Sequence, residues 1–158
     1  EETRTDPIVE GDVVMFDFGA VVDGYCSDFG RTVCVGEPDP EVRATHDLVL
    51  AAQEAGRAAL RPGTLASEVN RICRQPIEEA GYGDAFKHRM GHGIGLDVHE
   101  RPFVSEEEET PLEVGMTFTD EPSILLDRFG VRTEDVVVCE PAGGRTLNTF
   151  PPDLIVNG

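Results

Sequence analysis

Nothing in the chain approaches the roughly 18 consecutive apolar residues of a membrane-spanning helix, so its 158 residues are expected to carry no transmembrane segment. Basic charge is scarce as well. Lys+Arg number 13 against 31 Asp+Glu, giving a net charge of −18, and that balance excludes the basic footprint a nucleic-acid-binding surface needs. Lysine is almost missing, with Lys87 the only one among the basic residues. A salt-rich cell interior and a GC-rich genome would each produce that bias, and both explanations stay open. No C-x-x-C pair occurs: Cys26, Cys34, Cys73 and Cys139 sit in apolar or strand-like contexts, which predicts free thiols in a reducing compartment and not disulfides or zinc ligands. The opening Glu1-Glu2-Thr3-Arg4 has no signal-peptide pattern. These absences lead to the expectation of a cytoplasmic protein with neither membrane nor nucleic-acid partner.

The composition, 39% hydrophobic and 28% charged, is that of a globular chain. A single domain of this size buries about 70% of the surface its unfolded chain exposes, so one domain spanning 1–158 is expected.

The richest stretch is Met90-Gly91-His92-Gly93-Ile94-Gly95-Leu96-Asp97-Val98-His99-Glu100. Its glycines permit close backbone approach, and nothing bulky beside His92 blocks a ligand. Leu96 falls where the third glycine of a dinucleotide fingerprint belongs, and no capped helix follows, so a nucleotide loop is disfavoured. Residues 96–99 read as a short extended segment ended by Pro102. Two readings remain at this point: a surface loop with solvated histidines, or a site that recruits carboxylates from elsewhere.

Candidates for those carboxylates lie on two hairpins. Val13 to Phe18 reads as a buried strand, and Asp23-Gly24 as a two-residue type I′ turn returning through Tyr25 to Val35. Val22 then pairs with Tyr25 and Asp17 faces Gly30, leaving Asp28 on the same face as a diagonal neighbour about 7–8 Å away. Two aspartates in apolar strands call for a cationic partner, either Arg31 or a metal ion. Further on, Gly115 to Pro122 and Val131 to Glu140 form a second hairpin, in which Glu121 and Glu134 face each other. A weak repeat links the two: Gly11 and Gly115 each precede the first carboxylate by six residues, and each return strand carries an Arg-Thr pair. Between the hairpins, Asp39-Pro40 starts a helix running to about Leu60, and a second runs from about Ala66 to Gly81 with Pro76 as its kink. His46 on the first helix reads as a surface residue, and Glu106 to Glu109 as a solvated loop. Four carboxylates with His92 would suit two hard or borderline divalent ions.

The succession Asp17, Asp28, His92, Glu121, Glu134 resembles the pita-bread metallopeptidases: methionine aminopeptidase, Xaa-Pro aminopeptidase and Xaa-Pro dipeptidase (prolidase). The strings that carry it are Asp17-Phe18-Gly19, Tyr25-Cys26-Ser27-Asp28 with Arg31-Thr32, Gly91-His92-Gly93-Ile94-Gly95 with His99-Glu100-Arg101-Pro102, Glu121-Pro122, and Arg132-Thr133-Glu134-Asp135. They cover the chain from about Gly11 to Phe150, and the His-Glu-x-Pro string resembles the proline-directed branch. The resemblance implies an α+β pita-bread fold, here incomplete at its N-terminal side, with two carboxylate-bearing hairpins and covering helices. It implies two divalent metal ions, manganese or cobalt ahead of zinc or iron. Asp17 would hold one, Asp28 and Glu134 would bridge both, and His92 and Glu121 would complete the other. It further implies hydrolysis at the N-terminus of short peptides, of Xaa-Pro type, by a hydroxide bridging the two metals. Glu121 and His92 would act in catalysis, with Glu121 as the proton shuttle. His99 would sit at the substrate carbonyl, Arg132 would order the substrate site, and His88 would border the pocket. The partner implied is a short peptide, with a homodimer left open as the assembly. Two departures stand out. Glu121-Pro122-Ser123-Ile124-Leu125 replaces the usual Glu-Pro-Gly-Ile-Tyr, and Asp28-Phe29-Gly30 replaces the more usual β-branched pair. A non-catalytic peptide- or protein-binding module of the same fold is the alternative. Metal-free amidinohydrolysis of the creatine type is a third reading, and the presence of all five ligand candidates disfavours both.

Overall fold

The computed structural model of the chain describes residues 5–158, and Glu1-Glu2-Thr3-Arg4, read above as no leader, lies outside them. The first hairpin is built as the turn dictates. Strand β1 (Val13–Phe18) continues into β2 (Val21–Val22), and β3 (Tyr25–Cys26) returns into β4 (Phe29–Val35). Val22 pairs with Tyr25 and Asp17 with Gly30. Both turn residues adopt the left-handed conformation of a type I′ turn, at φ 52° for Asp23 and 87° for Gly24. One expectation fails here. Strand β1 is not buried: Phe16 is 49% and Phe18 58% exposed. Its apolar composition suits a core strand, yet β1 lies at the edge of a three-stranded sheet ordered β1-β4-β12, with β12 (Ile155–Asn157) parallel to β4.

Helix α1 (Pro40–Ala59) starts where predicted. The Asp39 side chain accepts a hydrogen bond from the Glu41 N–H at 2.8 Å, and Pro40 needs no donor in the first turn. Its buried stripe, Val42, Thr45, His46, Val49, Ala52, Gln53 and Gly56, has helical spacing. His46 is therefore not a surface residue: it is 1% exposed, set one turn beyond Val42 on the inward face. Helix α2 (Ala66–Glu79) continues through Pro76, and its face of Ala66, Val69, Asn70, Cys73 and Ile77 packs on α1 and the sheet.

The remaining strands follow in order: β5 (Gly91–Gly93), β6 (Glu100–Val104), β7 (Thr117–Asp120), β8 (Ser123–Leu125), β9 (Gly130–Arg132), β10 (Asp135–Glu140) and β11 (Gly143–Thr146). Five of them make a sheet ordered β11-β10-β7-β5-β6. Residues 96–99 are bends and not an extended segment, and β6 runs through Pro102 instead of stopping at it. Alternation over three residues is too short to specify a strand. Of the acidic run, Glu106, Glu107 and Glu109 are exposed, but Glu108 is half-buried, accepting from Thr110 and pairing with Arg101 at 3.1 Å.

The second hairpin repeats the plan of the first. Asp120 pairs with Asp135 at the end of β7/β10, and Ser123 pairs with Arg132 at the start of β8/β9. Glu121 and Glu134 lie in the gap between these pairs. The two hairpins are joined at one point, where Gly30 and Glu134 exchange backbone hydrogen bonds of 3.2 and 3.0 Å. Beneath this junction sits the core of Leu60, Ile77, Met90, Leu112, Phe118 and Ile124, all fully or almost fully buried. Each such side chain contributes about 1.5–3 kcal/mol by leaving water. All four cysteines are free thiols, and no described helix is long and apolar enough to cross a membrane.

Candidate metal centre

Two hairpins and strand β5 deliver the candidate ligands to one place. Asp17 comes from β1, Asp28 precedes β4, His92 is the middle residue of β5, and Glu121 and Glu134 come from the second hairpin. A register shift between His92 and Gly93 in the β5/β6 pairing marks the point where His92 leaves the ladder. Asp28, His92 and Glu134 each place a ligand atom within 4.8 Å of the others. His92 Nε2 is 3.4 Å from Glu121 Oε1 and 3.7 Å from Asp28 Oδ2. Asp28, His92, Glu121 and Glu134 are buried, whereas the Asp17 side chain is 50% exposed.

The hydrogen bonding shows what this cluster lacks. His92 Nδ1 lies 3.0 Å from the Gly93 carbonyl, which can only accept, so Nδ1 carries the proton. The lone pair of Nε2 is thereby aimed at carboxylate oxygens, a repulsive arrangement that a cation between them, or a proton on a carboxyl, relieves. Glu134 Oε2 is buried and accepts no hydrogen bond. Burial, then the charges of Glu121, Asp28 and Asp17, drives the Glu134 carboxyl well above the ordinary range, and burial does the same to Glu121. Burial also raises Asp28, with Asp17 adding to the effect. It lowers His92, keeping the imidazole neutral as a ligand must be. Crowded carboxylates, one orphaned oxygen and a directed imidazole lone pair fit a divalent metal centre with mixed O and N ligands. Thr119 completes the support: its hydroxyl accepts from the His92 N–H at 3.0 Å and donates to Glu121 Oε1 at 3.0 Å.

Arg31, one of the two cations offered for Asp17 and Asp28, does not serve them. It is 2% exposed and pairs with Asp135 at 2.8 Å on the far side of the junction. Arg132 takes that place instead, with Nη1 at 2.7 Å from Asp17, 3.8 Å from Glu121 and 4.0 Å from Glu134. The ring of His99 lies 4.3 Å from that of His92. A cleft of about 760 Å³ opens beside the cluster, lined by His88, Arg89, His99, Arg101, Phe103 and Arg132 among others.

Sequence reasoning missed Thr119 and Ser123. Thr119 was within reach, since it stands two residues before Glu121 and so shares its face of the strand. Ser123 was seen only as a departure, and its partner His88 lies 35 residues away.

The site and the strands that carry it bring a carboxylate–imidazole cluster together at the meeting of two hairpins. Residues 1–141 match metallopeptidase family M24, and the chain belongs to that family. It is 42% identical over 149 residues to the Xaa-Pro dipeptidase of Pyrococcus furiosus, covering 94% of this chain and 43% of that protein. A putative dipeptidase of Bacillus subtilis, YkvY, is 42% identical over 153 residues, 96% of this chain and 42% of that protein. Among solved structures, the dipeptidase of Pyrococcus horikoshii OT3 superposes with a TM-score of 0.92 at 43% identity, over 96% of this chain and 43% of that one. The X-Pro aminopeptidase of Thermotoga maritima MSB8 gives 0.90 at 42% identity, over 93% and 42%. The α+β pita-bread fold expected from the motifs is thus the fold of the chain. The chain spans about two fifths of the length of the relatives it matches.

Proposed function

We propose that the chain carries the metal centre of a peptidase that hydrolyses the N-terminal bond of short peptides, with Xaa-Pro dipeptides or Xaa-Pro N-termini as substrates. The observation that carries this reading is the buried Glu134 Oε2, which accepts no hydrogen bond, in a cluster where the His92 lone pair faces carboxylates. Asp17, Asp28, His92, Glu121 and Glu134 would together hold two divalent ions, manganese or cobalt by preference. Ions bound there supply an activated water at neutral pH and polarise the scissile carbonyl. The chain's own groups do the rest. Glu121 takes the proton of the attacking water on a carboxylate oxygen and passes it to the leaving nitrogen, a task for which its raised affinity for protons suits it. His99, on the rim of the cleft, donates a hydrogen bond to the substrate carbonyl. Arg132 holds Asp17 in place and lines the cleft. The four free thiols support a cytoplasmic setting.

The test is release of free proline from Gly-Pro and Ala-Pro by the chain, dialysed and then supplied with Mn²⁺, beside its Glu121→Gln variant. The expected result is activity that requires the ion and falls about 10²–10⁴-fold in the variant. Peptide binding without proline release would favour the non-catalytic module.

A further inference from the structure

His88 borders the cleft and Ser123 has no role assigned above, yet the two form the tightest side-chain contact near the site. His88 Nε2 lies 2.5 Å from Ser123 Oγ, and His88 Nδ1 lies 2.7 Å from the Arg89 carbonyl. A carbonyl only accepts, so Nδ1 carries the proton and Nε2 presents its lone pair. Two donors converge on that lone pair: the Ser123 hydroxyl, and Arg132 Nη2 at 3.4 Å. The other arm of the same guanidinium, Nη1, donates to Asp17 Oδ2 at 2.7 Å. Ser123 and Arg132 are also cross-strand partners on β8 and β9, which fixes the distance between them. Together these contacts make a chain of Ser123, His88, Arg132 and Asp17.

A serine against a histidine whose far nitrogen is held by a carbonyl looks like a nucleophile and its base. Ser123 is 0% exposed, however, so no substrate carbonyl reaches it. Its hydroxyl is a fixed donor. We propose that Ser123 and His88 are positioning residues, which lock the imidazole as its Nδ1–H tautomer and so hold the Arg132 guanidinium on Asp17. This rests on the reading of Asp17 as a metal ligand. Asp17 is half exposed, unlike the other four candidates, and Arg132 is what fixes its orientation. The charged groups around the ring act in the same sense. Burial, followed by the positive charges of Arg132, Arg74 and Arg89, pulls His88 down to about 4, so the neutral form with a free lone pair prevails at pH 7.

The test uses the metal-free full chain labelled with ¹⁵N-histidine, its ring nitrogens read by long-range ¹H–¹⁵N correlation, followed by Mn²⁺ titration. His88 is expected as the Nδ1–H tautomer at pH 7. Ser123→Ala leaves the ring held by the Arg89 carbonyl and the 3.4 Å Arg132 contact alone, and is expected to mix the tautomers and to weaken Mn²⁺ binding by less than the roughly 10–100-fold cost of losing a ligand's direct partner. Ser123→Thr, which keeps the hydroxyl, should restore both. A role in folding alone would lower thermal stability without moving the tautomer. An Nε2–H tautomer in the parent chain, or a Ser123→Ala variant with unchanged tautomer and Mn²⁺ affinity, overturns the proposal. If the parent chain binds no Mn²⁺, the peptidase reading falls, while the tautomer comparison still decides the Ser123–His88 lock.

Discussion

Replacing Arg31 with methionine should cost this chain about 3–5 kcal/mol, the usual penalty for breaking a buried ion pair from one side. All five guanidinium N–H groups are used. Nε donates to the Pro151 carbonyl, Nη1 to those of Gly30 and Glu134, and Nη2 to Phe150 O and Asp135 Oδ1, at 2.7–2.9 Å. The guanidinium carbon also sits 4.3 Å from the centroid of the Phe29 ring. Arg31 thus ties the first hairpin to the second and to the segment before β12. Its removal leaves Asp135, 4% exposed, with an uncompensated charge, and strips the Phe150 and Pro151 carbonyls of a donor. The Gly30 and Glu134 carbonyls still receive each other's N–H, so the junction weakens without vanishing. Domains of this kind have only about 5–15 kcal/mol in total. Urea unfolding followed by far-UV circular dichroism measures the loss, because the chain has no tryptophan to report by fluorescence. Arg31→Lys should be damaging too, since an ammonium offers three donors where five acceptors wait. Adding Asp135→Leu to Arg31→Met should recover part of the loss. A loss below about 1 kcal/mol in Arg31→Met would refute the reasoning, for it would place the pair with exposed ion pairs of little consequence.

Two further outcomes follow from other parts of the fold. His46 is buried with Nε2 unpartnered, and burial lowers its affinity for protons below that of the unfolded chain. The unfolded state therefore binds the proton first, and the contribution of His46 to stability is lost as pH falls below about 6.5 toward its folded value. Subtracting the pH–stability profile of His46→Phe from that of the parent should isolate this slope, and a flat difference between pH 7 and 5 would contradict it. Gly91→Ala would set a Cβ 2.0 Å from the Thr119 carbonyl oxygen. The backbone must then shift between β5 and β7, costing about 1–3 kcal/mol or more and displacing His92 from Thr119. Denaturation and Mn²⁺ titration of that variant should both report a loss.

The register of the first hairpin was legible because local chemistry sets it. Asp23-Gly24 admits one turn type, and that turn alone puts Asp17 opposite Gly30. That His92 joins the acidic pairs is implied by the resemblance to the metallopeptidases, since no local signal links its glycine-rich stretch to either hairpin. Burial was harder to read. Strand β1 has core composition, but what covers a strand is a tertiary matter, and Phe16 and Phe18 face out. His46 shows the opposite error: its position in the stripe of Val42, Val49 and Ala52 marked it as inward, and its polarity obscured that. Partners distant in sequence were out of reach. Arg31 meets Asp135 across 104 residues, and nothing near either one announces the other.

The most direct measurement of the central claim is the number of Mn²⁺ ions bound per chain at pH 7, by calorimetry with elemental analysis. The parent would be compared with Asp28→Asn and Glu134→Gln. The account predicts about two ions in the parent, lost together in either variant, with protons released on binding because burial raises the affinity of Glu134 and, to about 7, of Glu121 for protons in the metal-free cluster. Absence of bound metal, or metal bound as tightly after Glu134→Gln, would contradict it.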